Sequence, residues 1–240
     1  HLIDIADAGS HYNVYEFQRD FLLVYDDIRS RKKVPVLCGG TGLYIEAVTS
    51  GYKLISVPVN RILRERLSGM TLSELSVILA KMKKLHNTTD IDTKKRAIRA
   101  IEIEQYYSEN PPADTAYPDI NSLYIGIAFD RETRRRRITE RLKLRLENGM
   151  IDEAEKLLKS GLTTDQLIYY GLEYKYLAQY LAGFLSYDEM FTGLETAIHR
   201  FAKRQMTWFR GMERKGIKIH WIDGTAPMEE KLEHIIKLMV

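Results

Sequence analysis

The sequence is poor in several features, and each absence narrows the reading. It has one cysteine, Cys38, in 240 residues, which excludes a disulfide framework and any cysteine-built zinc site and fits a reducing compartment. No run approaches the ~18 apolar residues that a membrane-spanning helix requires. No secretory signal peptide is legible, so a cytoplasmic protein without membrane contact is expected. An opening methionine is also missing: the sequence begins at His1 inside an apolar run and reads as part of a longer protein. Its six histidines show no metal-ligand spacing, and His86 and His199 read as surface or packing residues. Low-complexity tracts and internal repeats are absent as well. With 45% hydrophobic and 29% charged residues, the chain can fill one core, or one core with a satellite, and disorder is excluded.

The charge is unevenly distributed. The net charge is only +3, yet residues 81–99 hold seven Lys/Arg against two Asp/Glu, 131–147 hold eight against three, and 199–218 hold seven against one. These windows sum to +16, leaving −13 on the other 184 residues. Three basic segments on an acidic body suit a polyanionic partner, although any one of them alone also reads as a solvated helix face. Arginine outnumbers lysine in two windows, and arginine binds phosphate bidentately and stacks on bases. The third window interleaves Phe201, Trp208 and Phe209 with basic residues, a composition suited to looped or single-stranded RNA.

The pattern along the chain predicts an α/β fold. Leu2–Ile5 reads as a short strand. Asn13 and Glu16 form a capping box before a helix on Val14, Phe17, Phe21, Val24, Tyr25 and Ile28. Val34–Cys38 is apolar without alternation, as in a parallel strand buried on both faces, with Cys38 as a small buried hydrophobe. Gly39-Gly40-Thr41-Gly42 ends it, and Leu43–Val48 resumes as a helix. This is either a tight turn or a phosphate-accommodating one, since glycines allow close backbone approach and a helix N-terminus favours anions. Residues 60–106 read as helical throughout, with a capping box at Thr71 and Glu74, and a loop runs from Pro111-Pro112 to Asn121. Leu123–Phe129 is a further buried strand, and Asp130 caps a basic helix reaching Asn148-Gly149. Helices follow near 151–159, 166–182 and 187–211, the last opened by Ser186 and Glu189, and Ile217–Ile222 is a final strand. An α/β core over 1–130 and 196–240 with a mainly helical portion over 131–195 is expected.

Three elements in shared order carry a family resemblance: Gly39-Gly40-Thr41-Gly42-Leu43-Tyr44, the helix Arg96-Ala97-Ile98-Arg99-Ala100-Ile101-Glu102, and Lys203-Arg204-Gln205-Met206-Thr207-Trp208-Phe209-Arg210. The opening His1-Leu2-Ile3-Asp4-Ile5, Phe17-Gln18-Arg19-Asp20, and Asp130-Arg131-Glu132 with Arg137-Ile138 and Arg141 add to it. Together, from His1 to about Asp223, the sequence resembles the tRNA dimethylallyltransferases. The resemblance implies a P-loop NTPase-like parallel sheet with a helical insertion. It also implies transfer of a dimethylallyl group from dimethylallyl diphosphate to N6 of the adenosine 3′ of the anticodon, in tRNAs reading codons that begin with U. The implied partners are dimethylallyl diphosphate and the tRNA anticodon stem-loop, the implied cofactor is Mg²⁺, and a monomer is expected. Carried over by position, Thr41 faces the flipped adenosine as the catalytic candidate, with Gly39, Gly40, Arg137 and Arg141 beside the pyrophosphate. Arg64, Lys95, Arg96, Ala97, Ile98 and Arg99 become tRNA contacts, as do Lys203, Arg204, Gln205, Met206, Thr207, Trp208, Phe209 and Arg210. Any single arginine here serves equally well as a structural ion pair. Tyr169-Tyr170 falls where the family contacts tRNA, but Gly171-Leu172-Glu173 departs from the family pattern, and core packing is the preferred reading for the tyrosines.

One element of the family is missing. No Gly-Lys-Ser or Gly-Lys-Thr occurs in the 240 residues, nor the aspartate that follows it as general base, and Asp4 and Asp7 do not substitute by motif. The first strand and phosphate loop are therefore absent from this sequence, and the expectation is that these residues alone hold tRNA weakly without prenyl transfer. Two alternatives stay open: a non-catalytic RNA-binding fragment, and a prenyltransferase acting on free adenine nucleotides.

Overall fold

The computed structural model describes residues 1–85, 89–111 and 117–239. The chain divides into two compact units, one of residues 1–50 with 120–240 and one of residues 51–119. The first begins with α1 (Val14–Ser30), started by the predicted capping box: the Asn13 side chain accepts from the Tyr15 and Glu16 amides, and the Glu16 carboxylate accepts from the Asn13 amide at 2.7 Å. Buried Gln18 on α1 donates to the carbonyl of Ala47 at 2.8 Å, and Phe17 lies 4.9 Å from the ring of Tyr44. Both partners belong to α2 (Gly42–Thr49).

Two predicted strands do not form. Leu2 and Asp4 sit at φ 56° and 54°, left-handed values that interrupt an extended run, and Ile3 is 84% exposed. Val34–Cys38 has no strand partner among the described residues, Val36 is 85% exposed, and Cys38 is exposed rather than buried. An apolar run encodes the tendency to pair but not the neighbour, and a strand exists only through its ladder.

The second unit is a three-helix cluster of α3 (Arg61–Ser68), α4 (Leu72–Met82) and α5 (Lys94–Glu109), with a single 3₁₀ turn at Thr89–Ile91. Its core joins Leu63 and Leu67, Leu75 and Leu79, and Ala97, Ala100 and Ile101. Residues 60–106 are thus interrupted rather than helical throughout. The box at Thr71 and Glu74 caps a new helix, and a cap is a start signal that ends continuity with whatever precedes it. His86 and residues 112–116 of the expected loop lie outside the described residues.

Returning to the first unit, β1 (Tyr124–Ala128) is followed by α6 (Arg131–Glu147), capped by the Asp130 carboxylate on the Glu132 and Thr133 amides as the sequence predicts. Then come α7 (Met150–Lys159), α8 (Thr164–Tyr170) and α9 (Leu172–Leu181). The single helix expected over 166–182 breaks at Gly171, whose φ of 79° with ψ of −166° is a region open essentially to glycine. The long α10 (Tyr187–Arg214) carries the predicted Ser186/Glu189 box. It is followed by β2 (Ile219–Asp223), which pairs parallel to β1 with Tyr124 opposite Ile219. These two strands form the only sheet among the described residues, and Ile127 on β1 is 48% exposed, so this strand is not buried on both faces.

The core of this unit joins Leu142, Leu146, Met150, Ala154, Leu177, Met190 and Leu194 from α6, α7, α9 and α10. The expected boundaries at 130/131 and 195/196 therefore do not coincide with the observed units: α10 runs unbroken through 195, and α6, α7 and α9 share one core with it. The C-terminal α11 (Met228–Met239), not anticipated from the sequence, leaves Met228, Leu232 and Ile236 exposed. No helix among the described residues is long and apolar enough to cross a membrane.

Candidate functional site

The glycine turn enters α2 through Thr41. At an N-cap a threonine oxygen ordinarily accepts from the second or third helical amide. Here the Thr41 carbonyl accepts from the Tyr44 and Ile45 amides at 3.0 and 3.1 Å, but the side chain makes no capping bond. Thr41 is exposed, and its hydroxyl has no hydrogen-bond partner among the described residues.

Helix α10 supports the turn from behind. Gln205 donates from Nε2 to the Gly40 carbonyl at 2.8 Å. A Cβ on Gly42 would lie 2.7 Å from Trp208 Nε1 and closer still to its Cδ1, so only glycine lets the turn lie against the indole. The indole N–H donates to Glu46 Oε2 at 2.9 Å, and Lys215 pairs with the other oxygen of that carboxylate. Gln205 and Trp208 are three positions apart and share one helix face. Lys203, Arg204, Thr207 and Arg210 lie exposed around it, while Met206 and Phe209 are half-buried. Gln205 and Trp208, two of the eight residues expected to meet RNA, have polar groups engaged by the turn and by Glu46.

Arg137 and Arg141 occupy exposed positions on α6. The Arg137 guanidinium lies 4.7 Å from the centre of the Phe129 ring, a cation–π contact at the end of β1. Among the described residues Arg141 has no ion pair, and no hydrogen bond or ion pair links either arginine to the glycine turn. Nearer the start of α6, Arg131, Arg135 and Arg136 with Glu132 line a shallow depression of about 340 Å³.

In the second unit, the buried carboxylate of Glu102 on α5 gathers two of the predicted arginines. Arg64 donates to it through Nε at 2.9 Å and Nη2 at 2.7 Å, Arg99 pairs with the same group, and the Asn60 amide donates at 2.6 Å. Arg99 also donates to the Val57 carbonyl at 2.9 Å. Burial alone would raise the Glu102 carboxyl, but the bonds from Arg64, Arg99 and Asn60 hold it below the ordinary carboxylate range. Each arginine side chain remains 38% exposed, so both reach solvent from fixed positions. Lys95 and Arg96 are exposed, with Arg96 paired to Asp92. Ala97 is fully buried and Ile98 packs on the same core, so Ala97 presents no side chain to RNA: the helix needs a small residue on its inner face.

The tyrosine expectation also changes. Tyr169 and Tyr170 are 49% and 38% exposed and hold the N-terminal loop on α8. The Tyr170 hydroxyl accepts from the Gly9 amide, and His11 meets Tyr169 edge-on at 4.2 Å. Behind them, burial and a hydrogen bond to Glu153 push the Tyr174 hydroxyl up to about 12.

Comparison with known proteins bears directly on this arrangement. The family model described as IPP transferase matches residues 1–212. The chain belongs to the IPP transferase family. It is 61% identical to tRNA dimethylallyltransferase 2 of Bacteroides fragilis over 98% of this chain and 77% of that protein. It is 57% identical to the like-named protein of Phocaeicola vulgatus over 100% and 78%. The solved structure of full-length tRNA isopentenylpyrophosphate transferase from Bacillus halodurans superposes with a TM-score of 0.67 at 30% identity, covering all of this chain and 76% of that one. The chain, a mostly helical α/β structure with a small parallel sheet, thus shares its overall fold with that solved structure.

No group of three or more His, Cys, Asp or Glu able to hold a metal occurs among the described residues. The expected Mg²⁺ has no such chelating set there. Sequence reasoning missed Glu46, Glu102 and Lys215. Glu102 carried a usable signal, an acid three residues after Arg99 on the apolar face of a helix. Glu46 carried none, because its partners lie more than 160 positions away.

Proposed function

We propose that the protein transfers a dimethylallyl group from dimethylallyl diphosphate to N6 of the adenosine 3′ of the anticodon, in tRNAs reading codons that begin with U. The observation that carries the reading is exposed Thr41, whose hydroxyl is unused among the described residues. It sits on a turn that α10 holds from one face while exposing Lys203, Arg204 and Arg210. In the reaction N6 bonds to C1 of the allyl group, the C1–O bond to pyrophosphate breaks, and the N6 proton passes to a base. An exocyclic amine is a weak nucleophile, so position and stabilisation of the departing anion carry most of the acceleration. Thr41 would orient the adenosine, and Arg137 and Arg141 would receive phosphate oxygens. The target base must leave its stack, which a loop permits more readily than a duplex. We further propose that β1 and β2 belong to a P-loop NTPase-like parallel sheet. The parallel pairing of β1 with β2 across intervening helices supports this, being the crossover connection such a sheet uses.

Thr41→Ala is expected to lower single-turnover prenyl transfer by about tenfold or more while changing stem-loop affinity by less than about threefold. Equal loss in both would assign Thr41 to folding. Arg210→Ala should weaken binding of all tRNAs similarly and reduce the slope of log affinity against log salt by about 1; an unchanged slope removes Arg210 from the interface. An anticodon stem-loop should outcompete free adenine nucleotide for the prenyl donor, and the reverse order would favour the free-nucleotide enzyme.

A further inference from the structure

We infer that Glu46 is a positioning residue, one that sets the glycine turn and its Thr41 in register with the basic face of α10. The inference rests on the prenyl-transfer reading above and adds a role to a side chain outside the turn itself. Glu46 is 3% exposed and lies one helical turn after Gly42 on α2. A buried carboxylate is costly unless paired and hydrogen-bonded, and both of its oxygens are used: Trp208 Nε1 donates at 2.9 Å and Lys215 pairs with the other. An apolar side chain at this position could pack against the indole equally well. What it could not do is fix the rotation of the indole or reach Lys215 just past the end of α10.

With Gln205 on the Gly40 carbonyl at 2.8 Å, three ties therefore hold α2 and its turn along α10, at positions 205, 208 and 215. Ten residues of helix span about 15 Å, so two of the ties, one at each end, resist both sliding and rotation. The exposed Arg210 lies within this stretch, and the exposed Lys203 and Arg204 lie just before it. Fixing α2 on α10 therefore fixes where Thr41 stands relative to the phosphates those side chains would hold. Misplacement of reacting groups by about 1 Å can cost roughly 100-fold in rate, whereas phosphate binding by flexible basic side chains tolerates such a shift.

The test uses the complete protein with Trp221 and any tryptophan outside residues 1–240 replaced by Phe, so that Trp208 alone emits, and compares Glu46→Ala with Glu46→Gln. Glu46→Ala is expected to raise acrylamide quenching of Trp208 by about twofold, to slow single-turnover prenyl transfer at least about tenfold, and to change the stem-loop Kd less than about threefold. Glu46→Gln keeps an oxygen for the indole N–H and should restore Trp208 quenching and most of the rate, whatever the alanine variant does to folding. Parallel loss of rate and affinity, or Trp208 quenching unchanged by alanine, would overturn the inference. If the parent protein binds the stem-loop but transfers no prenyl group, the functional reading fails by itself. The quenching comparison then decides whether Glu46 orients the indole.

Discussion

Glu102→Ala is expected to destabilise the 51–119 unit by about 2–3 kcal/mol, below the range for breaking a fully buried pair because the two guanidinium groups freed by the change can rehydrate. The substitution strips Arg64 and Arg99 of their shared anion and leaves the Asn60 amide without its acceptor. A melting temperature lower by about 4–12 °C is the corresponding thermal signature. Glu102→Gln should retain the Asn60 bond and fall between the two. The pH dependence has a definite sign. Because the folded protein holds the Glu102 carboxyl below its ordinary range, its contribution is fully present above the unfolded value of roughly 4.3 and disappears as pH falls through the lowered folded value. Melts of the parent protein should therefore lose stability below about pH 4 more steeply than those of Glu102→Gln. Parallel curves would show that the carboxylate is not the titrating group. The same substitutions should loosen tRNA binding, since both arginines lose their fixed geometry.

Gly42→Val should have the larger effect on catalysis. Any Cβ at that position meets the Trp208 ring, and the branched side chain would push the indole away from both the turn and Glu46. Overpacking of this kind costs about 1–3 kcal/mol, while the shift of Thr41 is expected to reduce prenyl transfer by roughly 100-fold. Gly42→Ala should show the same pattern at smaller size. A variant that retains full turnover would mean the turn can lift off α10 without consequence for the chemistry, which would also count against Thr41 as the residue facing the adenosine. Thermal melts run beside the assay separate displacement of the turn from global unfolding.

Local signals in the sequence transferred well to the structure, and non-local ones did not. All three predicted capping boxes are present, at Asn13, Thr71 and Ser186, because a cap is decided by residues three positions apart. The strand pair 124–128 and 219–223 was legible from short apolar runs. The equally apolar Val34–Cys38 was not a strand, because pairing depends on a neighbour that the run itself does not specify. The break at Gly171 was missed because a glycine inside a periodic pattern can be tolerated within a helix or can end it, and its φ decides which. At the candidate site, the glycine turn and the basic segments were visible as motifs, but their division of labour was not. Gln205 and Trp208 differ from Lys203 and Arg210 only by which side of α10 they occupy, and that depends on where α2 packs. Glu46 and Glu102 read as ordinary helical acids until their distant partners are placed beside them.

The parallel pairing of β1 with β2 also bears on how the chain reaches its fold. The partners Tyr124 and Ile219 are 95 positions apart, and five helices, α6 to α10, lie between them. Synthesis at ~5–20 residues per second leaves β1 without its neighbour for roughly 5–20 s after it emerges. The helices between are built from near contacts and can form in that interval, whereas closure of the strand pair must wait for β2 and then bear the entropy of a long loop. The sheet should therefore be the last element to assemble, and during synthesis the exposed edge of β1 is the part of the nascent chain most open to mispairing.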